Sequence, residues 1–137
     1  MTLAFVGEVT ASQLAVLQQI GCSQRASGCT IEFDAYEYWP DSQVAVAIAR
    51  EAPAALTLLW TQLRQDLTLH QAAPNLKRPH SSLRPHITLA RKVAQAPVLQ
   101  AMSPFRWNAR SFSLMRSETG GARSVYTVVD TWPLLYE

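Results

Sequence analysis

Charge is scarce in this sequence. Only 16% of its 137 residues are charged, against 48% that are hydrophobic. That balance excludes a disordered chain, which needs high charge and few apolar residues. Charge of one sign is lacking too. Twelve basic residues against ten acidic ones leave a formal charge of +2. Bulk electrostatics therefore permit a nucleic-acid partner without arguing for one, and any such reading has to come from a local site. Cysteine is limited to Cys22 and Cys29. Their spacing fits no standard zinc or redox pattern, so two free thiols in a reducing compartment are expected. No charged-then-apolar leader opens the sequence, and no apolar run approaches the length of a membrane span. The expectation is a cytoplasmic protein without membrane association, folded as one domain over 1–137.

Thr2 to Val6 is an apolar run closed by Gly7, which predicts a buried strand. Thr10 then stands as an N-cap, Leu14, Leu17 and Ile20 follow at helical spacing, and Gly21 is the expected stop. Cys29 to Trp39 alternates apolar with polar residues and predicts one half-buried strand. Pro40-Asp41-Ser42 is a turn, and Val44, Val46 and Ile48 predict its hairpin partner. Pro53 opens a helix striped by Leu56, Leu59, Trp60, Leu63 and Leu67.

Gln71 to Pro85 is an irregular basic loop holding Lys77, Arg78 and His80. His86 to Lys92 predicts a strand and Ala94 to Met102 a short helix. Three further strands are expected at Phe105–Trp107, Ser111–Arg116 and Ser124–Val129, the last two joined at Gly120-Gly121. Strands outnumber helices, which makes the fold class α+β with mainly antiparallel sheets flanked by helices. Thr2-Leu3-Ala4 is echoed at Thr88-Leu89-Ala90, each leading towards a predicted helix, and this suggests a two-lobed, internally repeated domain.

The chemistry concentrates at His86-Ile87-Thr88. Alternate strand residues share a face, so an imidazole and a hydroxyl stand side by side, with Ala90 beyond them and Ile87 and Leu89 turned to the core. An imidazole exchanges a proton near neutral pH, and a hydroxyl donates to a phosphate oxygen. Arg84 and Arg91 supply positive charge to an anion. This set suits phosphoryl transfer without a metal. A structural histidine that merely finds a hydrogen bond is the plainer alternative for the three residues alone. A zinc site built from His70, His80 and His86 is disfavoured, because spacings of ten and six residues fit no ligand pattern. The four tryptophans Trp39, Trp60, Trp107 and Trp132 read as core or sheet-edge aromatics.

Arg84-Pro85-His86-Ile87-Thr88-Leu89-Ala90-Arg91 resembles the second histidine-x-threonine motif of the 2H phosphoesterases, in the branch of bacterial RNA 2',3'-cyclic phosphodiesterases also described as 2'-5' RNA ligases. Thr2-Leu3-Ala4-Phe5-Val6-Gly7-Glu8-Val9 resembles the tail of the first motif, and the Arg123-Ser124-Val125-Tyr126 strand is also similar. The resemblance covers essentially the whole chain. It implies hydrolysis of an RNA terminal 2',3'-cyclic phosphate to a 2'-phosphate, or joining of RNA ends in reverse, with no metal and no cofactor. His86 and Thr88 would be catalytic, with Thr2 the remnant of the opposing motif. Arg84 and Arg91 would bind phosphate, Tyr126 would contact the terminal nucleotide, and Phe5 would face the base; sheet or core packing is the alternative for both aromatics.

In the family pattern the first histidine stands two residues before the threonine that Thr2 resembles, a position just ahead of Met1. The expectation is a domain without its first strand and helix, started at an internal methionine, with a naturally shortened relative as the alternative. Without the paired histidine, turnover would fall by about 10²–10⁴-fold. An exposed sheet edge would also admit a homodimer. Two competing functions remain: a non-catalytic RNA- or nucleotide-binding module that keeps half of the site, and a related activity on a small cyclic-phosphate metabolite.

Overall fold

The computed structural model describes residues 1–76, 82–118 and 124–135. Helix α1 (Ala11–Ser23) begins where Thr10 caps it. The Gln13 amide donates to Thr10 Oγ1 at 3.2 Å and the Thr10 amide donates to Gln13 Oε1 at 2.9 Å, which satisfies two of the orphan donors at the helix start. Gly21 does not stop the helix but lies inside it. A Cβ there would fall 2.3–2.5 Å from three ring atoms of Trp132, so this position is small because an indole presses on the helix.

Strands β1 (Cys29–Phe33) and β2 (Ala35–Trp39) replace the single strand expected over Cys29–Trp39. The chain changes partner at Asp34: β1 pairs antiparallel with β5 (Phe105–Ala109), and β2 pairs with β3 (Val44–Ile48). Asp34 marks the switch by donating its amide to Ile48 O at 3.0 Å and accepting from the Arg50 amide at 3.0 Å. The β2–β3 turn at Pro40 to Gln43 is as expected, closed by Gln43 N–H donating to Pro40 O. Helix α2 (Ala54–Leu69) follows Pro53 and buries Leu56, Leu59 and Leu67. Strand β4 (His86–Ala90) then adds to β3, giving the sheet order β2-β3-β4. Finally β6 (Ser111–Glu118) and β7 (Val125–Pro133) form a separate antiparallel ribbon. The architecture is α+β with antiparallel sheets.

Two expected elements are absent among the described residues. Ala94–Met102 forms no helix. Pro97 interrupts it, and Val98 at 95% exposure and Leu99 at 42% show that it has no apolar face to bury. Thr2–Val6 is not a strand either. Met1 and Leu3 pack on one core cluster and Ala4 and Val6 on another, but the backbone groups of the run have no described neighbouring strand to form a ladder with. Gly7 ends the run at φ 76°, a conformation that favours glycine. The expectations for Lys77, Arg78, His80, Gly120-Gly121 and Arg123 lie outside the described residues.

Two larger apolar clusters build the interior. One joins Ile31, Phe33, Ala47, Ala49, Leu56 and Leu59; the other joins Leu17, Ile20, Leu67, Ala72 and Ala73. A third, of Val44, Val46 and Ile48, lies on the opposite side of β3, with Ala35 and Trp39 packed against it. Among the described residues no helix is long and apolar enough to cross a membrane.

Both cysteines are free thiols, Cys22 exposed and Cys29 half-buried. Burial raises the Cys29 thiol above the ordinary cysteine value. Alkylation near neutral pH should therefore modify Cys22 first, roughly tenfold faster than Cys29, as peptide mapping would record. Gly21→Ala should destabilise the fold by about 1–3 kcal/mol in urea denaturation, because Trp132 must move off the helix.

Candidate functional site

The pairing of β3 with β4 sets the site. Ile48 lies opposite His86 and Val46 opposite Thr88, so imidazole and hydroxyl share the sheet face of the valine–isoleucine cluster. From β2 that face receives Ala35, Glu37 and Trp39, which lie opposite Ile48, Val46 and Val44. The other face carries Ala45, Ala47 and Ile87, and Ile87 packs on the main core cluster. His86 and Thr88 thus sit side by side as their spacing requires.

The face does not continue as simple alternation implies. The register shifts between Val46 and Ala45, so that Ala45 lies opposite Ala90 and Leu89 is the extra residue of a β-bulge. Ala90 therefore falls on the side of Ala45 and Ala47, not beyond Thr88. Leu89 is 56% exposed and is not turned into the core. The strand ends at Ala90, and Lys92 follows at φ 57°. The exit is held by Val93, whose amide donates to Gln43 O and whose carbonyl accepts from the Tyr38 hydroxyl at 2.7 Å.

His86 Nδ1 lies 2.9 Å from the Arg84 carbonyl oxygen. A carbonyl only accepts, so Nδ1 carries a hydrogen, and Nε2 is the nitrogen that gains or loses the mobile proton. The ring packs against Trp39, with centroids 4.7 Å apart and planes at 59°. Trp39 Nε1 donates to Glu37 Oε2 at 2.7 Å. Arg84 Nη2 donates to both Glu37 oxygens, at 2.7 and 2.8 Å, and its guanidinium lies 5.7 Å from the Trp39 ring centre. An open cleft of about 390 Å³ adjoins this group, lined by Trp39, Pro40, Asp41, Ser42 and Arg84. Among the described residues the Thr88 hydroxyl has no hydrogen-bond partner, so it is available to a ligand.

Among the remaining candidates, Arg84 is next to His86 but its charge is compensated by Glu37. Arg91 is exposed, at the far end of β4, with about 16 Å of strand between positions 86 and 91. Thr2 is exposed on the amino-terminal segment, and its neighbour Leu3 packs on the same cluster as Ile87. Phe5 and Tyr126 are 75% and 61% exposed, so neither is a core residue. Glu37 is the residue that sequence reasoning misses, and Trp39 reads from sequence only as a core or edge aromatic. The alternation of Ala35, Glu37 and Trp39 is visible there, but not that β3 brings that face against His86.

No protein-family model matches the chain. It is 29% identical over 136 residues to the RNA 2',3'-cyclic phosphodiesterase of Escherichia coli (strain K12), covering 98% of this chain and 74% of that protein. The crystal structure of E. coli LigT complexed with 3'-AMP superposes with a TM-score of 0.86 at 27% identity, over 98% of this chain and 76% of that one. In both sequence and fold the chain is similar to the 2H phosphoesterases. A crystallised phosphoesterase matches at a TM-score of 0.87, and TT0787 of Thermus thermophilus at 0.76 and 28% identity, covering 97% of this chain and 76% of that one. The β4 face is the one that carries His86 and Thr88, the residues of the histidine-x-threonine resemblance.

The tautomer has a direct test. Long-range ¹H–¹⁵N correlation at a pH where the ring is neutral should find His86 mainly protonated at Nδ1. An Nε2–H form as the main species would contradict the hydrogen bond to Arg84.

Proposed function

We propose that this chain is a phosphoesterase acting on RNA ends, hydrolysing a terminal 2',3'-cyclic phosphate to a 2'-phosphate. The observation that carries the reading is the His86–Thr88 face: an imidazole held by its Nδ1 hydrogen bond, beside a hydroxyl without a described partner. Similarity to the E. coli protein named RNA 2',3'-cyclic phosphodiesterase supports it, as does similarity to LigT crystallised with 3'-AMP and with ATP.

In this reading water adds to phosphorus and the bond to the ribose 3'-oxygen breaks. His86, protonated at Nε2, gives that oxygen its proton; the proton lost by the attacking water passes to solvent, from which the neutral His86 is then reprotonated. The Thr88 hydroxyl donates to a non-bridging phosphate oxygen, and Thr2 is the second hydroxyl assigned to the phosphate. Positioning and proton transfer then carry the reaction, with developing charge met by fixed donors. Arg91, which has no described ion-pair partner, supplies positive charge for the RNA backbone, while Arg84, already paired with Glu37, borders the site. The exposed rings of Tyr126 and Phe5 are suited to stack on unpaired bases.

Hydrolysis of a 2',3'-cyclic mononucleotide and of a short RNA with a cyclic-phosphate end, followed by ³¹P NMR, tests the reading. His86→Ala should lower turnover by about 10²–10⁴-fold, the ordinary contribution of a positioned acid or base. Thr88→Val should raise KM or lower kcat while leaving denaturation stability within about 0.5 kcal/mol, because no described hydrogen bond is lost. Turnover that is robust and independent of His86 would sink the assignment. Binding of the nucleotide without turnover would leave a binding module.

A further inference from the structure

We propose that Glu37 is a positioning residue for His86, acting through Trp39 and Arg84. This rests on the reading that His86 moves the proton. One carboxylate joins the two side chains beside the imidazole: it accepts from Trp39 Nε1 at 2.7 Å and from Arg84 Nη2 at 2.7 and 2.8 Å. Trp39 then packs against the His86 ring, and the carbonyl of Arg84 accepts from Nδ1.

The two contacts control different freedoms of the ring. The backbone at position 84 is already constrained, because the next residue is the fully buried Pro85, whose carbonyl accepts from the Ala49 amide at 3.0 Å. That places an acceptor for Nδ1. It does not choose the ring rotamer, because the second side-chain torsion of histidine is broad and roughly two-fold. A half-turn of the ring would carry Nδ1 away from the Arg84 carbonyl. The tryptophan ring standing 4.7 Å from the imidazole on its flank restricts that turn. Trp39 is itself held by one described hydrogen bond, to Glu37, and by the guanidinium that the same carboxylate anchors.

The value of this arrangement is geometric. The Arg84 and Glu37 side chains are 52% and 33% exposed, a setting in which an ion pair adds at most about 1 kcal/mol of stability. Misplacing a reacting group by an ångström can cost about a hundredfold in rate. Glu37 should therefore matter far more to the orientation of His86 than to folding.

The test reads His86 directly. In Glu37→Ala the ¹⁵N shifts of the neutral ring should move from the Nδ1–H pattern towards a mixture of tautomers. Any measurable kcat should fall about 10- to 100-fold with KM within about threefold. Glu37→Gln keeps an oxygen for Trp39 but loses the charge that holds Arg84, so its ring shifts and rate should lie between those of wild type and Glu37→Ala. If Glu37→Ala does not fold, Glu37→Gln decides on the same readout. Folded variants with wild-type His86 nitrogen shifts overturn the proposal. A wild-type chain that hydrolyses no cyclic phosphate overturns the proposed function instead, while the nitrogen shifts still decide the role of Glu37.

Discussion

Strand β3 is buried on both faces, and the site depends on that. Val46 is 0% exposed on one side and Ala47 1% on the other. The alanines of one face let the sheet press on the core built by α2 and β1. The valines and isoleucine of the other form the floor on which β2 and β4 set the side chains of the candidate site. A strand wanted on both faces cannot slip by one residue, since the slip would exchange the two faces. With the register held, Glu37 and Val46 on the one side and Val46 and Thr88 on the other become neighbours across the sheet.

Packing and polar contacts divide the labour. Full burial of one valine or isoleucine is worth about 1.5–3 kcal/mol, more than the half-exposed Arg84–Glu37 pair supplies. The apolar strand therefore holds the platform in place, and the polar network above it selects a rotamer and a tautomer. A phosphoesterase that works by positioning and proton transfer needs both: a rigid support, and an imidazole with one nitrogen committed and the other free.

The legible parts of the chain are those controlled by nearby residues. The Thr10 cap, the turn at Pro40-Asp41-Ser42, the leucine stripe after Pro53 and the His86 strand follow from local hydrogen bonding and periodicity. The misreadings share a cause in distant partners. Cys29 to Trp39 reads as one strand, yet it serves two sheets because β5 and β3 claim its halves. Thr2 to Val6 has the apolar run of a buried strand but no described ladder. Gly21 looks like a helix stop and is a seat for Trp132, which lies near the other end of the chain.

The sequence by itself determined the α+β class, the pairing of an imidazole with a hydroxyl at His86 and Thr88, and the resemblance to the 2H phosphoesterases. Each of these is written in residues that are neighbours along the chain. Only the tertiary structure decided that Ala90 leaves the face of His86 and Thr88 at a bulge, that Arg84 is paired with Glu37, and that Trp39, held by Glu37, stands against His86. Those outcomes depend on which strands pair and in what register. Pairing is decided by which faces can be buried together, and this is a property of the whole chain that local spacing does not carry.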